Sequence, residues 1–116
     1  MKFTELPTPC FLVDENRLVQ NLAVLRDVAD RTGAKILLAQ KAFSMFSAYP
    51  LLREYLAGTT ASGLFEARLG KEEFGGETHV YSPAYAEGEF QEILHYASGR
   101  LTAIWRGRRE KAAACV

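Results

Sequence analysis

The sequence predicts an α/β fold with parallel strands. Three observations point there. Short apolar runs alternate with segments of helical spacing about four times along the chain, and such alternation implies a parallel sheet with right-handed crossovers. The middle of residues 35–41 (KILLAQK) is continuously apolar, as expected of a strand buried on both faces. The 116 residues, 48% hydrophobic and 24% charged, suit one ordinary globular domain.

Each element has its own signal. Residues 10–13 form a short apolar run with strand character. Asp14 is the expected N-cap of a helix over residues 15–31, with Glu15 in its first turn. Leu18, Leu22, Leu25 and Val28 supply its apolar stripe, and Gly33 its stop. The strand at residues 35–41 follows. Residues 45–57 have helical composition, with Pro50 in the first turn or at a break. Residues 58–61 are a short strand. Ser62 is the expected cap of a helix running to about Phe74, ended by Gly75 and Gly76. Residues 78–81 make another strand, and Ser82 and Pro83 mark a loop and helix start. Phe90, Ile93, Leu94 and Ala97 form the next stripe. Residues 101–105 are a further strand candidate. The Arg-rich, then Ala-rich ending has no periodic apolar face and reads as an irregular surface tail.

Composition excludes some classes of function. Fourteen basic residues balance fourteen acidic ones, so charge gives no reason to expect nucleic acid or an anionic membrane as partner. No apolar run approaches the roughly 20 residues that span a bilayer, and residues 1–5 lack the pattern of a secretory signal. Cys10 and Cys115 suggest neither a disulfide framework nor a zinc site. The expected location is the cytoplasm. His79 and His95 have no partner at metal spacing. His79 reads as a strand residue and His95 as a helix-surface residue, with no metal expected. Nucleotide-binding and hydrolase glycine motifs are absent.

Lys41 carries the chemistry of most interest. Alternation puts Leu37, Ala39 and Lys41 on one face of a strand, with Lys41 at its C-terminal end. Ligands of α/β sheets bind at that end. A partly desolvated lysine there has a lowered pKa and a free amine for carbonyl chemistry. On position alone, a solvated strand-end lysine is the stronger reading. Ser62 and Glu66 follow the next strand. There they either hold an anion at a helix start or act as a plain serine cap with a first-turn glutamate, and pattern alone favours the second. Tyr81 and Ser82 either line a pocket mouth or are an aromatic strand residue and a turn serine.

Five segments in order carry a resemblance: 6–14 (LPTPCFLVD), 35–43 (KILLAQKAF), 58–70 (GTTASGLFEARLG), 73–76 (EFGG) and 79–85 (HVYSPAY). Together they resemble the carboxynorspermidine/carboxyspermidine decarboxylase family. That family belongs to the alanine-racemase-like, fold-type III pyridoxal-phosphate enzymes, alongside ornithine and diaminopimelate decarboxylases. The resemblance implies part of a (β/α)8 TIM barrel, with residues 1–97 as the N-terminal portion of the cofactor-binding domain and 98–116 as a divergent tail. It implies pyridoxal 5'-phosphate as cofactor and Lys41 as its covalent anchor and proton shuttle. The resemblance also implies that Ser62, Glu66 and Tyr81 stand near the cofactor, although Thr59 and Thr60 replace an acidic residue found in some relatives. The implied reaction is α-decarboxylation of a carboxylated polyamine in polyamine synthesis, and the whole enzyme is expected to be a homodimer. A barrel takes about 250 residues, so this chain alone is expected to be inactive. A racemase, another decarboxylase or a cofactor carrier of the same fold type stays open from the residues, as does an inert fragment.

Overall fold

The computed structural model describes residues 3–98 and 101–103. After a 3₁₀ turn at Phe3–Glu5, the first long element is helix α1, Glu15–Thr32. Its ends are those expected. Asp14 is the N-cap and accepts a hydrogen bond from the Arg17 N–H at 3.2 Å. Gly33 takes the left-handed conformation (φ 71°) and donates to the Ala29 carbonyl. The expected stripe is buried only in its first half. Leu22 is buried and Leu18 half-buried, whereas Leu25 and Val28 are exposed, because no described element lies across from them.

Residues 10–13 are not a strand. The segment stays outside the sheet and Phe11 is fully exposed. A short apolar run becomes a strand only where a neighbouring strand offers hydrogen bonds, and none of the described strands pairs with it.

The sheet contains β1 (Leu37–Ala39), β2 (Gly58–Ala61), β3 (Glu77–Ser82) and β4 (Leu101–Ala103) in the order β1-β2-β3-β4. Every neighbouring pair is parallel. The expected α/β alternation is therefore present. β1 is half-buried, not buried on both faces as its apolar run suggests, since β2 is its only neighbour among the described strands. β4 falls inside the strand expected at 101–105. Residues 104–105 and the expected irregular tail from 106 onward lie outside the described residues.

Between β1 and β2 the expected long helix is short. A 3₁₀ turn, Phe46–Ala48, runs into α2, Tyr49–Leu52, with Pro50 in the first turn. The Ala57 N–H then donates to the Ile36 carbonyl at 3.0 Å and draws the chain into β2. After β2, Gly63, not Ser62, is the N-cap of α3, Leu64–Leu69. A π-helical turn, Gly70–Phe74, continues α3 and ends at Gly75, φ 76°. Helix α4, Glu87–Tyr96, follows β3, and its Ile93 is buried as its stripe implies.

Strand alternation gives the sheet two unlike faces. One carries Leu38, Gln40, Thr59, Ala61, Thr78 and Val80; all but half-buried Leu38 are buried. Helices cover it. Leu22, Tyr49, Leu52, Leu56 and Phe74 form one core beside Leu38, while Ala67 and Ile93 pack with Ala61 and Val80 in a second. The opposite face carries Leu37, Ala39, Thr60, His79 and Tyr81, and none of these is fully buried.

Candidate functional site

The candidate site lies where the parallel register ends. Ala39 pairs with Thr60, Thr60 with His79, and Tyr81 with Thr102. Lys41, Ser62 and Tyr81 each stand two residues past Ala39, Thr60 and His79, so they form a row across the ends of three neighbouring strands. The row sits at the C-terminal edge of the sheet.

Lys41 occupies the turn just beyond β1. The Ala42 and Phe43 N–H groups both donate to the Ala39 carbonyl, at 2.9 and 3.2 Å, and so turn the chain sharply there. The Lys41 side chain is exposed. The expected desolvation is not found, because nothing among the described residues covers it. Ser62 is also exposed, and its N–H donates to Glu66 Oε2 at 2.7 Å. The Glu66 carboxylate therefore fills the position an anion would take at this helix start. This contact also explains the shifted cap: Glu66 is the third residue of α3 and reaches back over Gly63 to Ser62. Tyr81 is 48% exposed in the same row. The Ser82 hydroxyl donates to the Ala84 carbonyl at 2.7 Å, which makes Ser82 a turn serine.

A buried polar cluster lies beneath this row on the helix side. Tyr49 Oη donates to Gln40 Oε1 at 3.1 Å. Gln40 Nε2 donates to the Glu66 carbonyl at 2.7 Å and, more weakly, to the Thr60 carbonyl at 3.5 Å. Burial, and then the Glu66 charge, push the Tyr49 hydroxyl up, so it stays protonated as a donor. The sequence reading missed Gln40. Its signal was a glutamine at a strand position where alternation calls for an apolar residue.

A second charged group sits toward the other end of the open face. Glu77 Oε1 pairs with Lys35 Nζ, and Glu77 Oε2 lies 2.9 Å from His79 Nε2. His79 is on a strand, as expected. The hydrogen bond from Lys35, and then that from His79, lower the Glu77 carboxyl from 4.5 to about 2. A depressed folded-state pKa contributes stability that is present above about pH 4.5 and is lost as pH falls toward 2. The expected result is that the urea midpoint of the chain declines over this window and that Glu77→Gln flattens the decline. Equal pH profiles for the two proteins would refute it. Glu77 and Tyr81 are four strand residues apart, about 13 Å at roughly 3.3 Å per residue, so this cluster is separate from the Lys41 row.

His95 is exposed on α4, its ring edge-on to Tyr96 at 5.1 Å. Cys10 is exposed. No helix among the described residues is long and apolar enough to cross a membrane.

No protein-family model matches the chain. Individual proteins do. A carboxynorspermidine/carboxyspermidine decarboxylase of Herminiimonas arsenicoxydans is 46% identical over 89 residues, covering 77% of this chain and 24% of that protein. The chain is related to the carboxynorspermidine/carboxyspermidine decarboxylases. A further decarboxylase of this name, from Campylobacter jejuni, is 42% identical over 93 residues. A carboxyaminopropylagmatine decarboxylase of Synechocystis is 43% identical over 97 residues, or 84% of this chain and 25% of that one. The crystal structure of the Campylobacter jejuni carboxynorspermidine decarboxylase complexed with norspermidine superposes with a TM-score of 0.81 at 39% identity, over 84% of this chain and 26% of that chain. The chain thus spans about a quarter of the length of the decarboxylases it matches.

Proposed function

We propose that this chain is the cofactor-lysine-bearing part of a pyridoxal-phosphate-dependent decarboxylase that converts carboxynorspermidine or carboxyspermidine to the polyamine. One observation carries the reading. In a chain 46% identical to such a decarboxylase, the only lysine in the row at the C-terminal edge of the sheet is Lys41, and its exposed side chain leaves the end of β1 next to Ser62 at the end of β2. A parallel sheet with helices on one face and an open face opposite is what an arc of a (β/α)8 barrel requires, with the open face turned inward. The whole enzyme is read as a cytoplasmic homodimer.

The donors in the row fit pyridoxal phosphate at its aldehyde end. Lys41 offers a primary amine that makes no hydrogen bond or ion pair among the described residues. The Ser62 hydroxyl stands at the next strand end and the Tyr81 hydroxyl one strand beyond it. Among the described residues no arginine or second lysine stands in the row, and the groups that hold the phosphate are read as belonging to the length that the chain does not span. When bound, the cofactor supplies an electron-withdrawing ring that takes up the electron pair left by departing carbon dioxide. Lys41 Nζ would be the covalent anchor and would deliver a proton to the carbon that has lost carbon dioxide. Ser62 and Tyr81 orient groups at the edge of the sheet. Glu66 holds the turn that carries Ser62.

The test is to add pyridoxal phosphate, reduce with borohydride and map the modified residues. Modification concentrated at Lys41 supports the proposal; even labelling across the lysines overturns it. Carbon dioxide release from carboxynorspermidine by the 116-residue chain alone should stay at the uncatalysed level. Measurable release would refute the claim that the remaining length supplies essential groups.

A further inference from the structure

We propose that Gln40 is the positioning residue that aims Lys41 at the C-terminal edge of the sheet; this rests on the Lys41 reading above. Gln40 and Lys41 are the two central residues of the turn that the Ala42 and Phe43 N–H groups close onto the Ala39 carbonyl, so the two side chains are held in a fixed relation to each other. Fixing Gln40 on the helix side therefore fixes the direction in which Lys41 leaves the sheet. Gln40 is 1% exposed, and its backbone N–H and both polar atoms of its side chain are hydrogen-bonded. Its N–H donates to the Thr60 carbonyl at 3.3 Å, extending the β1–β2 ladder one residue. Its side-chain oxygen accepts from Tyr49, and its amide nitrogen donates to the Glu66 and Thr60 carbonyls.

These partners come from three elements, α2, β2 and α3. Glu66 also grips the Ser62 N–H through its carboxylate. Gln40 and Glu66 together therefore set the spacing between Lys41 and Ser62 across the β1 and β2 ends. The packing is built around this amide. A Cβ at Gly70 would stand 3.0 Å from Gln40 Nε2 and 2.3 Å from Thr59 Oγ1, so the π-helical turn approaches this closely only with glycine there.

Two variants test the role in the full chain. Gln40→Met keeps the volume and removes the side-chain hydrogen bonds. Tyr49→Phe removes one hydrogen bond and keeps the ring, which sits edge-on to Phe74 at 5.4 Å. Tyr49→Phe thus remains informative if Gln40→Met fails to fold.

The first readout is amide hydrogen exchange, which needs no cofactor. In the variants, exchange at residues 42 and 43 should rise up to about tenfold relative to β3, the size expected from one lost buried hydrogen bond. The second is the ratio of pyridoxal-phosphate adduct at Lys41 to that at exposed Lys71 after borohydride reduction. It should fall in the same order, most in Gln40→Met. Unchanged exchange in folded Tyr49→Phe overturns the proposal. So does faster exchange with an unchanged Lys41 to Lys71 ratio, because Gln40 would then hold the turn without aiming the lysine. A wild-type chain with no preference for Lys41 instead overturns the Lys41 reading itself, and the aiming role with it. That failure is recognisable because it appears before any substitution.

Discussion

Lys41→Arg is expected to abolish attachment of pyridoxal phosphate at the sheet edge while leaving the fold intact. The side chain is exposed and makes no hydrogen bond or ion pair among the described residues, so its replacement removes no packing. Arginine keeps the charge and much of the length. Its guanidinium, however, stays protonated and delocalised at any working pH and does not condense with an aldehyde as a lysine amine does. The measurement is the cofactor-dependent absorbance change and the borohydride-fixed adduct, with far-ultraviolet circular dichroism as the control. Loss of both signals with an unchanged dichroism spectrum is the expected outcome. An undiminished adduct in Lys41→Arg would move the covalent site to another lysine.

The largest expected effect on stability is at the far end of the same sheet. Gly58→Ala should destabilise the chain by about 3 kcal/mol, the upper part of the usual range for forcing atoms into a filled space. A Cβ on Gly58 would lie 2.0 Å from the Glu77 carbonyl oxygen and 2.7 Å from two further backbone atoms of Glu77. Backbone cannot rotate away as a side chain can, so β2 and β3 must separate where their pairing begins, at Gly58 and Glu77. A domain is typically stable by only about 5–15 kcal/mol, so this is a large fraction of the total. Urea denaturation gives the value directly. A midpoint shift equivalent to less than about 0.5 kcal/mol, the ordinary range for surface changes, would show that the strands absorb the methyl group.

What the sequence made legible was mostly local. The Asp14 cap, the Gly33 stop, Pro50 in a first turn and the bounds of β2 each depend on a few neighbouring residues, and each stands where expected. The misreadings turned on partners distant in sequence. Residues 10–13 have strand composition but no strand beside them. The apolar run of β1 suggested two covered faces, yet β1 lies at the edge of the described sheet. Ser62 had the chemistry of a cap, but Glu66 reaches back to its N–H and the helix begins after Gly63 instead.

The candidate site divides in the same way. Spacing placed Lys41 at a strand end but could not separate an anchor from a solvated lysine. The resemblance of five ordered segments raised it, and the parallel register adds the row it shares with Ser62 and Tyr81. The cluster of Gln40, Tyr49 and Glu66 was not legible, because its hydrogen bonds join residues 9 and 26 positions apart. The Lys35–Glu77 pair spans 42 positions and was hidden for the same reason.

The central claim is that the C-terminal edge of this sheet, at Lys41, is the cofactor end. Two-dimensional amide NMR of the isotopically labelled chain during titration with pyridoxal phosphate tests it most directly. Shift changes should gather at Lys41, Ala42, Ser62, Gly63, Tyr81 and Ser82. Changes concentrated around Lys35, Glu77 and His79, or scattered evenly over the exposed lysines, would contradict it.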